Sequence, residues 1–391
     1  MTSTKKYIVL ALLYFTQTVP FSFFGTAIPV ILRQKGFSLE HIGYFQLIGL
    51  PYMIKFLWAP LIDKYSRTKG YIGWIQIATL LYAGFTLITA FFVLENTWAI
   101  MLLLLLAISC LSTQDIAVDA MAVQILHKEE RSIGNGIQAG GNYFGFLFGG
   151  GILLMTYQYL GWAFTMVLMA GIVILPLFKL KKFRPREKVT SKQEEKVSLK
   201  DLVSYFKVPE FKTWIPLLLL IMIPVMVVFH SLKPLLADKG FSLSQVALVF
   251  GIFAMLAGML AGLISGYAFK KASRRNKLLI TAVANIMAAG AAIFITFLPF
   301  SSFYPITAFC LFIGLVSGLN YMVISAVSME FIRPGKEGTD YAFQSFLRGF
   351  LIFPLMPLTG FFADHLGYAV MFALMGVWAI ITAMYIVFKF R

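Results

Sequence analysis

Cysteine, histidine and charge are all scarce in this chain of 391 residues, and each scarcity closes off a class of function. The two cysteines, Cys110 and Cys310, fall inside apolar segments without metal-type spacing. Neither a disulfide framework nor a metal centre has support in the sequence, and both read as small packing residues. With four scattered histidines they supply no convergent nucleophile, base or ligand set, which argues against an enzyme, and no cofactor is expected. The glycine-rich runs lack the preceding strand and the Lys-Ser/Thr of a phosphate-binding loop, so a primary pump would need a separate subunit for ATP. Charged residues are only 13% of the chain while hydrophobic residues are 59%, far more apolar surface than one soluble core can hide.

What is present is a series of long apolar runs. Spans at 7–32, 42–62, 71–94, 97–126, 134–157, 162–180, 213–236, 245–269, 277–300, 303–332, 339–362 and 367–389 have the length and apolarity of membrane crossings. The fold class is an all-α membrane protein with twelve transmembrane helices, divided into an N-terminal bundle (1–180), a basic linker (181–212) and a C-terminal bundle (213–391). The linker reads as a solvated tether or, near Ser198 to Phe206, as a short interfacial helix presenting Leu199, Leu202, Val203 and Phe206 on one face. The first span is too long for a signal peptide and carries Gln17, Pro20 and Pro29, so it is expected to stay as a helix.

Lys and Arg number 33 against 17 Asp and Glu, a formal net charge of +16. The basic residues cluster between alternate spans, at Lys64, Arg67 and Lys69, from Lys179 to Lys212, and from Lys270 to Lys277, whereas Arg33, Lys35, Lys233 and Lys239 occupy the opposite set. This is the positive-inside pattern with both termini cytoplasmic. The excess charge therefore serves topology and the anionic surface of the lipid bilayer, and no nucleic-acid partner is expected.

An internal repeat organises the chain. Lys239-Gly-Phe-Ser-Leu-Ser244 follows Lys35-Gly-Phe-Ser-Leu-Glu40 by 204 residues, Pro234 answers Pro29, and Gln344 answers Gln138. Repetition of half a membrane chain predicts two pseudo-symmetric six-helix bundles.

Each charge inside the hydrocarbon costs at least about 2.5–3.5 kcal/mol on insertion scales and calls for a partner or a purpose. The chain places Lys55, Asp115, Asp119 and Arg348 there and, less deeply, Glu330 and His230. Asp115 and Asp119 share one helix face about 6 Å apart along the axis. They read either as a proton-coupling or cation-linked site or as a structural salt bridge neutralised by Lys55 and Arg131, and solvation from the nearby helix end is a third account of Asp119. Lys55 lies about 12 Å from Asp63 by helical rise, too deep to reach water comfortably, and needs an acid. Asn135, Gln138 and Asn142 in the fifth span and Gln344 and Arg348 in the eleventh have helical face spacing. A guanidinium opposite amides suits an anionic or carbonyl-rich solute, while bonding to helix-end carbonyls is the structural alternative. His230 reads as a gate or as a core histidine, and the runs Gly140-Gly141 and Gly149-Gly150-Gly151 as close-packing surfaces.

A twelve-helix chain with this repeat resembles the major facilitator architecture, whose substrate site lies near mid-membrane between the halves. Ala59-Pro-Leu-Ile-Asp63-Lys64-Tyr-Ser-Arg67 is similar to that family's loop signature, in which the Asp contacts a neighbouring helix end in one access state, where a carboxylate is favoured. Asp63 and Arg67 are thus expected to form a cytoplasmic latch, although Ala59 and Ser66 replace the signature's glycines and Tyr267 occupies the Asp position of the second half. More narrowly, Ile42-Gly43-Tyr-Phe-Gln46, Pro51-Tyr52 and Lys55-Phe-Leu-Trp58 through Tyr65 resemble the helix-two motif of AmpG-type permeases and the related acetyl-coenzyme A transporters. Ser112-Thr-Gln114-Asp115-Ile-Ala-Val-Asp119-Ala120 and Glu130-Arg131 followed by Gly134, Gly141 and Gly145 are similar to theirs as well. The resemblance places Lys55, Gln114, Asp115 and Asp119 at mechanism positions. It implies transport of a bulky, polar, often anionic solute: anhydromuropeptides, acetyl-coenzyme A or, in the RhtX/FptX-like branch, ferric siderophores. AmpG-type chains resemble Gly-Tyr-Arg where this one has Gly141-Asn142-Tyr143 and carry a basic residue where it has Ala122, so two positive cavity candidates of that branch are missing here. The run Gly134-Asn135-Gly136-Ile137-Gln138 and the compact length incline the reading toward the siderophore-importing or an uncharacterised branch.

The expected function is a monomeric secondary transporter working by alternating access, with proton-driven import of a small-molecule substrate across a bacterial inner membrane. Gln17, Gln114, Asp115, Gln138, Asn142, Tyr143, Asn320, Tyr321, Gln344 and Arg348 are the candidate substrate-binding residues. Lys55 with Asp119, and Asp115 beside them, is the candidate coupling group. A receptor of the same fold that binds without translocating is the competing reading.

Overall fold

The computed structural model describes residues 3–35, 45, 47–92, 96–180, 204–241, 245, 247–299, 303–350 and 352–390, and among them every regular element is helical. Helix α1 runs through Ser3–Ser22, a π turn at Phe23–Ala27 and Ile28–Gln34. Helix α2 (47–69) passes through a 3₁₀ turn at Lys55–Leu57 and enters the continuous helix Ala59–Thr89, whose remainder is α3 (71–89). Next come α4 (Thr97–Ile125), α5 (131–160, with a π turn at Phe148–Ile152) and α6 (162–180). Helix α7 combines Phe211–Leu220 and Ile223–Asp238, α8 combines the π turn Ala247–Ala254 with Met255–Ala268, and α9 and α10 are Arg274–Thr296 and Phe303–Ser328. Helix α11 begins as Glu337–Phe350 and continues in Ile352–Lys389, which also holds α12 (368–389).

Three consecutive pairs of crossings are joined by one glycine each. Gly70 (φ 65°, ψ 165°), Gly161 (φ 78°, ψ −179°) and Gly367 (φ 80°, ψ 156°) sit in a backbone region essentially closed to residues with a Cβ. The helices therefore extend past the apolar spans: the stretches 63–69 and 158–160, expected as loops from their polarity or position, are helical up to the glycine. Hydropathy marks the hydrocarbon, not the end of hydrogen bonding, so it stops short of the turn.

Among the described residues, eight helices are long and apolar enough to cross a membrane. Lys128–Leu180 is counted among them as one, although Gly161 divides it into two crossings, and Leu47–Leu57 and Ile252–Ala268 are shorter apolar helices. The count of twelve is consistent with this. Large apolar side chains stand outward, with Phe91 89%, Phe297 74% and Phe388 73% exposed, as lipid solvation permits.

The chain divides into two compact units. The first comprises Met1–His127, Phe144–Val203 and Ile332–Phe343, and the second Lys128–Tyr143, Ser204–Phe331 and Gln344–Arg391. The first unit's core gathers Phe23, Phe24, Ile28, Leu104, Leu111, Met166 and Met169, and the second's gathers Val225, Val228, Leu232, Ile306, Ile313 and Phe372. Lipid tails are as apolar as leucine, so such helices associate through close packing more than through water exclusion. Glycines supply that closeness in both units. In the first, a Cβ on Gly150 would lie 2.7 Å from Thr26 Oγ1 and one on Gly145 2.9 Å from the Phe15 carbonyl. In the second, a Cβ on Gly136 would lie 2.6 Å from the Gly262 carbonyl and one on Gly266 2.8 Å from that of Ser132. Gly140 and Gly149 pack as tightly, whereas Gly151, of the same run, faces open space.

The repeated Lys-Gly-Phe motif has a visible purpose in its second copy. Lys239 Nζ donates to the carbonyls of Thr296 (3.1 Å) and Leu298 (2.6 Å), closing the C-terminal end of α9, and Gly240 turns the chain at φ 78°. Residues 36–40 of the first copy, 242–244 of the second, and the part of the expected interfacial helix before Ser204 lie outside the described residues.

Candidate functional site

In the first unit, polar side chains from α1, α2, α3 and α4 are held at membrane depth. The 3₁₀ turn at Lys55–Leu57 carries Lys55, whose ammonium forms an ion pair with Asp115 of α4 and lies 5.4 Å from the centre of the Tyr52 ring. Side-chain exposures of 8% and 14% make this a nearly buried pair. Asp119, one turn further along α4, accepts a 3.0 Å hydrogen bond from the buried Tyr14 hydroxyl of α1. Lys55 thus takes Asp115, as the salt-bridge reading of the two acids expects, while Asp119, its partner in the candidate coupling pair, bonds Tyr14. Gln114 donates to Thr79 Oγ1 at 2.6 Å, while its buried Oε1, like the buried Nε2 of Gln17, has no protein partner among the described residues. An orphaned amide acceptor and an orphaned donor in one unit's interior are unmet hydrogen-bonding capacity.

The same unit holds Asp63, buried to 2% exposure beyond the apolar spans. Its carboxylate accepts from the backbone N–H of Gly338 (2.9 Å) and Thr339 (2.7 Å), from Thr339 Oγ1 (2.5 Å) and from the Tyr71 hydroxyl (2.7 Å). Gly338 and Thr339 belong to the first turn of α11, where N–H groups have no intrahelical acceptor and the helix dipole favours an anion. A Cβ at Gly338 would lie 2.7 Å from Asp63 Oδ1 and 2.9 Å from Ile116 Cγ2, so a side chain there would push on the bound carboxylate. Burial pushes the Asp63 carboxyl up to about 6, the four hydrogen bonds offsetting part of the rise. Burial likewise raises Glu337, which Tyr71 also approaches at 3.5 Å. Arg333 grips Asp340 through Nε (2.9 Å) and Nη2 (2.5 Å) and fixes the start of α11. The side chain of Arg67, the expected companion of Asp63, lies outside the described residues.

The second unit contains the other candidates. Asn142 donates to the Tyr321 hydroxyl at 2.7 Å, both side chains half-buried. Tyr143 lies against Gly258, where any Cβ would meet its ring. Asn320 is engaged by Asn285 in a reciprocal amide pair (2.7 and 3.3 Å), and Gln344 accepts from Trp214 Nε1 (2.6 Å) and donates to the carbonyls of Ser328 and Phe331. Both amides already bond their own framework. Arg348 is half-buried and donates to the hydroxyls of Ser325 (3.2 Å) and Ser345 (2.8 Å), and Gln138 of the same unit is buried. Arg131, expected to help neutralise the α4 acids, donates to the Met329 carbonyl at 2.8 Å, and Glu330 pairs with Arg274 at 2.7 Å. His230 is exposed, so the buried-core account of it does not hold.

Tyr14, Thr79, Tyr71 and Thr339 were not singled out from the sequence. Each is a neutral hydroxyl in a chain rich in such residues, and only the partner across the fold gives it meaning. Among the described residues no group of three or more His, Cys, Asp or Glu side chains is placed to hold a metal ion.

Similar proteins agree with this architecture. Over 377 residues, covering 92% of this chain and 75% of the relative, the sequence is 26% identical to the anhydromuropeptide permease of Escherichia coli strain K12. Among solved structures, the human organic anion transporter MFSD10 (TETRAN) superposes with a TM-score of 0.73 at 16% identity, covering 98% of this chain and 99% of that one. The transporter FucP in its outward conformation gives a TM-score of 0.75 at 13% identity, covering 99% of each. The family model of the Major Facilitator Superfamily matches residues 10–356. On that match, and on the helical membrane fold that carries it, the chain belongs to the Major Facilitator Superfamily and is a multi-pass membrane transporter, not an enzyme.

Proposed function

We propose that this transporter imports an anhydromuropeptide or a solute of similar bulk and polarity, coupled to protons, by alternating access of its two six-helix halves, 1–180 and 213–391. The observation that carries the proposal is the buried group Tyr14, Lys55, Asp115 and Asp119 in the first unit. Ionisable side chains are costly at membrane depth and mark ion and proton pathways. Here one carboxylate faces an ammonium and the other a phenol. We assign Asp119 as the group that gains and loses the proton, with the Lys55–Asp115 pair setting its electrostatic surroundings. The free hydrogen-bonding capacity of Gln17 and Gln114 supports substrate contact in this unit. Asn142, Tyr143, Tyr321, Gln138 and Arg348 are the proposed contacts from the second, with Asn320 and Gln344 holding that surface in shape. Asp63 with the start of α11 is the proposed latch, Arg67 its second member. The molecule is proposed to work as a monomer in a bacterial inner membrane, both termini cytoplasmic.

A ferric siderophore is the second reading. It is favoured by Tyr143, an uncharged ring packed on Gly258 where the AmpG-type Gly-Tyr-Arg pattern has its basic residue. The experiment is counterflow into proteoliposomes of the purified protein, offering an anhydromuropeptide, a panel of ferric siderophores and acetyl-coenzyme A. Saturable exchange of the muropeptide supports the first reading, exchange of a siderophore alone replaces it, and binding without exchange would make the chain a receptor. In the same vesicles Asp119→Asn is expected to keep counterflow and lose accumulation driven by a pH gradient; retention of both would remove Asp119 from coupling.

A further inference from the structure

A second polar site lies in the second unit, away from every residue assigned to transport. A cavity of about 1160 Å³ opens among the start of α7, the 270–273 connection, the first turn of α9 and the ends of α10 and α12. Seven basic and three acidic side chains line it, a net charge of +4. The carboxylates are Glu129, Glu210 and Glu330, and of these Glu330 is engaged by Arg274 at 2.7 Å. Arg274 also lies 4.6 Å from the centre of the Phe331 ring, which fixes it as a wall of the cavity. Lys277 is buried and bonded to Ser132 at 2.8 Å. Lys270, Lys271 and Arg275 are exposed, and no ion pair joins them to any acid among the described residues.

Three cations concentrated at the rim of a concave, net-positive site, beside the N-terminal end of α9 with its positive dipole, form an anion receptor. Its height in the fold says which anion. The lining residues stand where four membrane-crossing helices begin or end: α7 at Phe211, α9 at Arg274, α10 at Ser328 and α12 at Lys389. That level is the headgroup layer, where basic pockets between helix ends take phospholipid headgroups. We propose that this cavity binds the phosphodiester of an anionic phospholipid, with Lys270, Lys271 and Arg275 as its ligands. The acyl chains then lie along the exposed apolar side chains of neighbouring helices, such as Tyr267 and Ile280. The site does not depend on which solute is transported.

The probe is cardiolipin, offered to the full-length protein in mixed micelles and counted as retained adducts by native mass spectrometry. The triple variant Lys270→Gln, Lys271→Gln, Arg275→Gln is expected to retain cardiolipin about a hundredfold less well, at roughly one kcal/mol for each basic residue near the lipid surface. Lys64→Gln, a basic residue of the other unit, should leave retention unchanged. Undiminished retention in the triple variant overturns the proposal. Displacement of the lipid by inorganic phosphate at matched ionic strength also overturns it, since the site would then serve a soluble anion. Should the triple variant fold poorly, Arg275→Glu alone decides the matter on the same readout, with a neutral phosphatidylcholine as the control that should not distinguish it from wild type.

Discussion

The strongest residue-scale statement concerns buried charge. Removing one partner of a buried ion pair strands the other, whereas removing both leaves only a packing defect. Lys55→Met is therefore expected to destabilise the protein by about 3–5 kcal/mol, and Lys55→Met combined with Asp115→Leu to recover most of that loss, measured by thermal unfolding in detergent. Equal destabilisation by the single and double variants would mean that Lys55 acts through something other than Asp115. Asp63 makes a pH prediction. Its carboxyl lies near 6 when docked on α11 and at the ordinary 3.8 when exposed. Between those values the docked form holds a proton that the undocked form has lost, so acid favours docking. The gain is complete below about pH 3.8 and disappears as pH rises through about 6. An infrared carboxylic band titrating near pH 6, absent in Asp63→Asn, is the expected signature, and a band titrating near 4 would place Asp63 in water. Thr339→Val should weaken docking by about 1.5–3 kcal/mol, the worth of a hydrogen bond to a charged acceptor.

At the scale of the element, glycine decides where helices approach and where they end. A side chain at Gly136 must displace the backbone of Gly262, whereas one at Gly151 meets nothing within 4 Å. Gly136→Val is thus expected to abolish the folded, monodisperse protein in size-exclusion chromatography while Gly151→Ala leaves it intact. Gly161→Ala meets no atom either, yet its backbone conformation should cost about 1–3 kcal/mol in thermal stability. Much of this level was legible beforehand. Apolar run length located the helices, because the hydrocarbon demands it, and the glycine runs were readable as packing surfaces. The helix ends were less legible, since a single glycine at positive φ makes a turn that polarity does not announce. That Lys55 meets an acid of α4 was legible as well, but not which one: on one helical face Asp115 and Asp119 are alternatives until the 3₁₀ turn at Lys55–Leu57 sets how far Lys55 reaches along α4. The contact of Asp63 with a helix end was foreseeable from its family signature, while Tyr71 and Thr339 needed the fold.

For the whole molecule, the distribution of basic residues sets the expected orientation. Single cysteines at Lys64 and Lys270, in a background without Cys110 and Cys310, should be labelled by an impermeant reagent only from the cytoplasmic side, and labelling of either from the outside would reverse the topology. The glycine joints described above carry a mechanical consequence. With one residue between α2 and α3, between α5 and α6, and between α11 and α12, no slack exists for one crossing to leave the bilayer while its neighbour stays. Under a pulling force applied at either terminus, these crossings should come out two at a time, as hairpins, each event releasing the contour length of a pair.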